Sequence, residues 1–199
     1  MSQQLRRPDL SLTTQAAEGL MRRRWSVAEI EEIVKAGILL EDERFELIGG
    51  EIVPMSPKGI RHERLKGTLA KYWYQRLPAG IELITETTFR LDEDTFVEPD
   101  FVLFRKADGL SNLKPETCLL AAEVADSSLL YDLHRKSRLY SVFGVREVWV
   151  INALTLVTYV HRRPGLDGYQ DKQEIAPDQT LVPDFAPNLT VTLGGLELI

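Results

Sequence analysis

Cysteine is nearly missing from this 199-residue chain: Cys118 stands alone, so no intrachain disulfide can form. A lone thiol is the pattern of a reducing compartment, and a cytoplasmic location is the expectation. Histidine is scarce too, at three residues, and no Cys/His set has the spacing of a zinc site. No apolar run approaches the ~20 residues of a membrane helix. The basic N-terminus lacks the apolar core of a secretory signal, so none is expected. There is no glycine-rich phosphate loop, no internal repeat and no low-complexity segment. These absences exclude a disulfide scaffold, a collagen, a coiled coil and a solenoid.

What remains is an ordinary globular composition, 44% hydrophobic and 27% charged, which points to a chain able to bury its own core. At this size roughly 70% of the unfolded surface can be buried without a metal or disulfide staple. The net charge of -6 is unevenly spread: residues 1–24 carry +3 and the rest -9. An acidic body does not attract polyanions globally, so any contact with nucleic acid must be local. Residues 1–24 lack a sustained period and read as a flexible N-terminal arm, with Arg22, Arg23 and Arg24 as a solvated flank. Residues 25–199 read as a single domain.

Ser26 and Glu29 form a capping box ahead of Ile30, Ile33 and Val34, and Gly37 supplies the stop of a short amphipathic helix. Phe45–Ile48, Gly49–Gly50 and Glu51–Val53 read as a β-hairpin. Leu65, Leu69, Tyr72 and Trp73 mark a helix from His62 to Leu77, closed by Pro78 and Gly80. Strand patterns follow from Ile81 to Leu91, at Phe101–Phe104, at Leu119–Ala125, at Val148–Ile151 and from Leu154 to Val160. The runs at Phe101 and Leu119 are apolar on both faces, as central strands are. A helix runs from Asp132 to Phe143 and stops at Gly144. The order predicts an α/β (α+β) fold with one central mixed β-sheet flanked by helices, preceded by an N-terminal helix and β-hairpin.

Two acids fit a purely structural reading poorly. Asp100 opens a buried strand, and Glu123 lies near the end of another. Isolated buried charges cost several kcal/mol, roughly, unless paired or bound to a cation. Lys136 falls three residues after Leu133 and four before Tyr140, on the apolar face of its helix, and needs an acidic partner. Glu123 is the natural candidate. Two carboxylates and a lysine at a sheet edge suit Mg²⁺ or Mn²⁺. Spacing alone leaves a second account open, a buried Lys136–Glu123 pair with Asp100 capping a turn.

The residues resemble a known family. Phe45 to Pro57 (FELIGGEIVPMSP) with His62, Glu98-Pro99-Asp100 and Ala122 to Ser128 (AEVADSS) carry the likeness. The most specific part is Tyr131 to Tyr140 (YDLHRKSRLY) followed by Gly144 to Ile151 (GVREVWVI). Together these resemble the Uma-type restriction endonucleases of the PD-(D/E)XK nuclease superfamily, over about residues 25 to 196. The resemblance implies a restriction-endonuclease-like core, a metal-dependent endonuclease activity and a nucleic-acid partner, DNA in the first instance. Asp100 then matches the motif aspartate and Glu123 the motif glutamate, as Mg (or Mn) ligands. The superfamily's usual lysine position holds Ala125, and the family takes its lysine from the next helix, here Lys136, to support the attacking water. Gly49 stands where the family commonly has Asp, and Ala125-Asp126 replaces a more usual Leu/Ser-Ser.

Secondary candidates are His62, Glu51 and Tyr140. His62 begins a helix at a position the family fills with His, where it could meet a phosphate or a metal-bound water, or cap the helix. Glu51 and Glu46 flank the hairpin and could add a ligand, though hairpin acids are usually solvated. Tyr140 reads as core or as a hydrogen-bond partner to the site. Asp132 reads as a helix N-cap, His134 and His161 as surface residues, and Cys118 as an inert small hydrophobe. Ser127-Ser128 has no His–acid pair nearby, so a serine hydrolase is not expected. The competing functional class is a non-catalytic nuclease-like module for binding or assembly, working as a homodimer. A basic groove lined by Arg61, Arg64, Lys66, Arg135 or Arg138 would favour the nuclease.

Overall fold

A computed structural model describes residues 22–40 and 43–198, so the arm up to residue 21 lies outside the described residues. The described chain divides into two compact units. The first draws on residues up to Ser56 and on Thr88–Glu98; the second comprises Pro57–Thr87 and the chain from Pro99 onward. Among the described residues, no helix is long and apolar enough to cross a membrane.

In the first unit, helix α1 (Val27–Lys35) starts where the capping box predicts. Ser26 Oγ accepts from the Glu29 N–H, and the Glu29 carboxylate accepts from the Ser26 N–H. Strands β1 (Phe45–Ile48) and β2 (Glu51–Pro54) form the hairpin, with Ile48 opposite Glu51. Its turn needs left-handed backbone at both Gly49 (φ +59°) and Gly50 (φ +80°). A Cβ at Gly50 would also meet the Arg24 Cβ at 2.6 Å. Arg22, Arg23 and Arg24, expected to be solvated, each find an acid: Glu51, Glu29 and Asp94.

The second unit opens with α2 (Ile60–Tyr74) and β3 (Ile81–Thr85). The strand-like run predicted to Leu91 does not stay in one sheet. After Glu86, held at φ +52°, it continues as β4 (Phe89–Asp92) and a strand the sequence pattern misses, β5 (Thr95–Val97). These two belong to the first unit's sheet, in the order β2-β1-β5-β4. The single central sheet predicted from the pattern is therefore accompanied by a second, four-stranded one.

Strands β6 (Phe101–Arg105), β7 (Cys118–Ala125), β8 (Glu147–Asn152), β9 (Thr158–Arg162) and β10 (Asp171–Ile175) complete the main sheet, ordered β10-β9-β8-β7-β6-β3. It is mixed: β7 and β8 are parallel and every other neighbouring pair is antiparallel. All eight residues of β7 are buried, as its unbroken apolar run requires. Leu65, Leu69 and Trp73 of α2 are fully buried in the core of this unit. Trp73 meets Phe101 edge-on at 5.1 Å and Trp149 at 5.9 Å.

The helix between β7 and β8 is not uniform. Tyr131–Lys136 is a π-helical segment, and α3 (Ser137–Val142) continues it to a stop at Gly144, φ +82°. The wider turn changes which side chains face inward. Leu133 is only half-buried, whereas Asp132 is buried and accepts from Ser128 Oγ at 2.6 Å. Asp132 is thus inside the helix and not its N-cap. Cys118 is buried, and burial pushes its thiol pKa up, as expected of an inert thiol.

His161 is a correction. Predicted on the surface, it is buried in β9, where the Tyr169 ring packs 5.6 Å away. Burial, then the charge of Lys172, lowers its pKa from 6.5 to about 4. The unfolded chain takes up this proton near pH 6.5 and the folded one resists until about pH 4. Stability is therefore full above pH 6.5 and falls as pH drops through this window, by on the order of 2–3 kcal/mol. Urea melts across the window should show this slope in the wild type and a shallower one in His161→Phe. Equal slopes in the two proteins would contradict the assignment.

Candidate active site

The register of β6 and β7 brings two acids to one end of the sheet. Phe101 pairs with Ala122, so Asp100, just before β6, and Glu123 of β7 come next to each other at that end. Both are buried, at 4% and 5% exposure, deep enough that neither charge can rely on water.

Asp100 is held by three donors. The Val124 N–H donates to Oδ2 at 2.8 Å, Lys58 Nζ to Oδ1 at 2.9 Å, and His62 Nε2 lies 2.9 Å from Oδ1. Burial pushes its pKa up, but His62, Lys58 and the Val124 amide outweigh it and hold the carboxyl at about 2. Glu123 has a separate set. Lys136 Nζ is 3.0 Å from Oε1, and the Tyr140 hydroxyl donates to the same oxygen at 2.6 Å. Lys136 closes the π-helical segment and Tyr140 follows in α3, so the four-residue spacing read from the sequence survives where it matters.

A chain of hydrogen bonds and ion pairs extends from Asp100. His62 Nδ1 lies 3.0 Å from Glu63, Lys66 lies 3.0 Å from Glu63 and 3.0 Å from Glu86, and Glu86 pairs with Lys58, which returns to Asp100. The six side chains form a closed ring. Burial pushes the Glu86 carboxyl up, but Lys58 and Lys66 outweigh it and hold its pKa below the usual value. Burial likewise lowers Lys66, and Glu63 and Glu86 more than reverse the effect.

Of the predicted site residues, Asp100 and His62 thus meet directly, as do Glu123, Lys136 and Tyr140. Glu51 belongs to the first unit, where it pairs with Arg22 at 2.6 Å. Glu46, in the same unit, is buried and accepts from the Glu98 N–H at 3.0 Å. Lys58 and Glu86 were not legible as site residues. Lys58 precedes the N-cap of α2, in a loop with no face to read, and Glu86 follows the end of edge strand β3. Lys66 was legible only as a candidate groove residue, although it sits four residues after His62 on one helix face. Of the other groove candidates, Arg61 pairs with Asp126 at 3.2 Å and Arg64 donates to the Leu198 carbonyl, while Arg135 and Arg138 are exposed. Among the described residues, no group of three or more His, Cys, Asp or Glu side chains is arranged to hold a metal ion.

The Uma2 family model, described as "Putative restriction endonuclease", matches residues 28–194. A solved structure described as a putative nuclease belonging to DUF820, from Anabaena variabilis, has a similar fold with a TM-score of 0.63. It is 18% identical, and the match covers 85% of this chain and 95% of that one. No curated protein matches the chain.

The Glu123–Lys136 pair generates a stability test. Lys136→Met leaves a buried carboxylate with the Tyr140 hydroxyl and should cost about 3–5 kcal/mol. Adding Glu123→Gln should recover much of that loss. Chemical denaturation of the two single variants and the double variant measures the coupling. Additive losses would show that the pair is not coupled in solution.

Proposed function

The chain belongs to the Uma2 family, and on that premise we propose that it is a metal-dependent endonuclease that hydrolyses phosphodiester bonds in DNA. The observation that carries this reading is the pair of buried carboxylates, Asp100 and Glu123, next to each other at one end of the sheet with Lys136 drawn onto Glu123. The donor chemistry fits Mg²⁺ or Mn²⁺: two hard carboxylates are enough for an ion that keeps several of its waters. Asp100, with its pKa at about 2, is an anion at neutral pH, the charge state a metal ligand requires.

When bound, the metal supplies Lewis-acid polarisation of a phosphoryl oxygen and a water of lowered pKa. The chain's own groups supply position and charge. Asp100 and Glu123 hold the ion. Lys136, on the Glu123 carboxylate, orients the attacking water and offsets the negative charge that grows on the phosphoryl oxygens. Tyr140 fixes the Glu123 carboxylate through its hydroxyl. His62 and the Val124 amide fix Asp100.

One observation favours a second reading, a non-catalytic nuclease-like module that binds or assembles, as a homodimer. Both acids already have protein cations or hydroxyls as partners, as in a purely structural cluster. A cytoplasmic setting accords with the single buried thiol under either reading.

Plasmid and single-stranded DNA incubated with Mg²⁺ or Mn²⁺ should be cleaved by the wild type. Asp100→Asn and Lys136→Met should each lower the rate by roughly 10²–10³-fold. Thermal melts would establish that the variants remain folded. Wild type that neither cleaves DNA nor takes up Mn²⁺ in calorimetry would favour the binding module.

A further inference from the structure

The ring beside Asp100 has a feature its structural role does not require. Lys58 Nζ and Lys66 Nζ both converge on one oxygen, Glu86 Oε1. Two ammonium groups on a single anionic oxygen is the arrangement that binds a phosphoryl oxygen. The lysines are the sheltered members, with side chains 12% and 11% exposed, and the glutamate is the open one at 35%. Glu86 is also the residue held at φ +52°, a backbone conformation that a non-glycine residue adopts at a cost. Lys58 touches Asp100 as well, at 2.9 Å, so an anion seated on the two lysines lies one side chain from the proposed metal ligand.

We propose that Lys58 and Lys66 form a clamp for a backbone phosphate of DNA, and that Glu86 occupies this clamp in the free protein as a built-in stand-in for the phosphate. The inference rests on the nuclease reading above and adds substrate-binding residues to it. It also answers the charge problem of the sequence: an acidic protein needs local basic contacts to hold DNA. Two sheltered lysines, neutralised by an acid of the same chain until DNA replaces it, supply such a contact without a basic surface.

The test is binding without metal, which separates it from cleavage. Fluorescence anisotropy of a labelled DNA duplex and of its single strand, in EDTA across a salt series, would compare the wild type with Glu86→Gln. Relieved of Glu86, the two lysines, which keep Glu63 and Asp100 as partners, should tighten binding roughly tenfold at low salt and steepen the dependence of log K on log salt by about one. Glu174→Gln, on strand β10 at the other edge of the sheet, removes the same charge and controls for net charge. Adding Lys58→Met or Lys66→Met to Glu86→Gln should abolish the gain. Melting curves establish that each variant is folded. A Glu86→Gln protein that binds like Glu174→Gln, or no binding by any variant, would overturn the clamp. A gain specific to Glu86→Gln, with no cleavage by wild type in Mn²⁺, would sustain the clamp and remove only the nuclease reading.

Discussion

A carboxylate almost out of water at the start of β6 obliges several other groups to take fixed positions. Asp100 is stable as an anion only because an amide of β7, a histidine of α2 and a lysine of the preceding loop converge on it. Those donors come from parts of the second unit that are distant in sequence. The same contacts that neutralise the charge therefore tie α2 and its leading loop to the end of the sheet. His62 and Lys58 carry the constraint outward through Glu63, Lys66 and Glu86 until the ring closes. Burial sets the need, and alternating charge meets it.

Glu123 meets the same need with different partners. Its neighbour at the sheet end is Asp100, yet its lysine and hydroxyl come from the crossover helix that links the parallel strands β7 and β8. The π-helical segment at the start of that crossover is where Lys136 and the buried Asp132 turn inward, and such wide turns recur at functional sites. The two acids sit side by side, each with its own cationic and hydrogen-bonding partners. In the next register row, Phe101 and Trp149 flank Ala122, and both rings pack against Trp73.

Much of the local structure was legible because it depends on near neighbours. The capping box at Ser26 and Glu29, the Gly49–Gly50 hairpin turn and the Leu65–Leu69–Trp73 face each follow from residues within a turn or two. The buried acids were legible too, because a charge inside an apolar run contradicts its surroundings. The apolar face of the second long helix singled out Lys136, and Glu123 was the nearest acid able to answer it. The His161 reading failed for a different reason: polarity suggested solvent, but the residue is buried, with the Tyr169 ring packed beside it.

The chain's own pattern thus dictated the helices, most strands, the central position of β6 and β7, and the acid–lysine set, since each rests on periodicity or on one residue's conflict with its neighbours. Tertiary structure alone decided where the run after Glu86 goes, which cations reach Asp100, and that Lys58, Lys66 and Glu86 meet at one oxygen. Those outcomes depend on pairing register and on contacts between residues far apart in the chain, such as Lys66 and Glu86. No local period encodes such a meeting. It exists only once the strands have paired and the buried charges have found their partners.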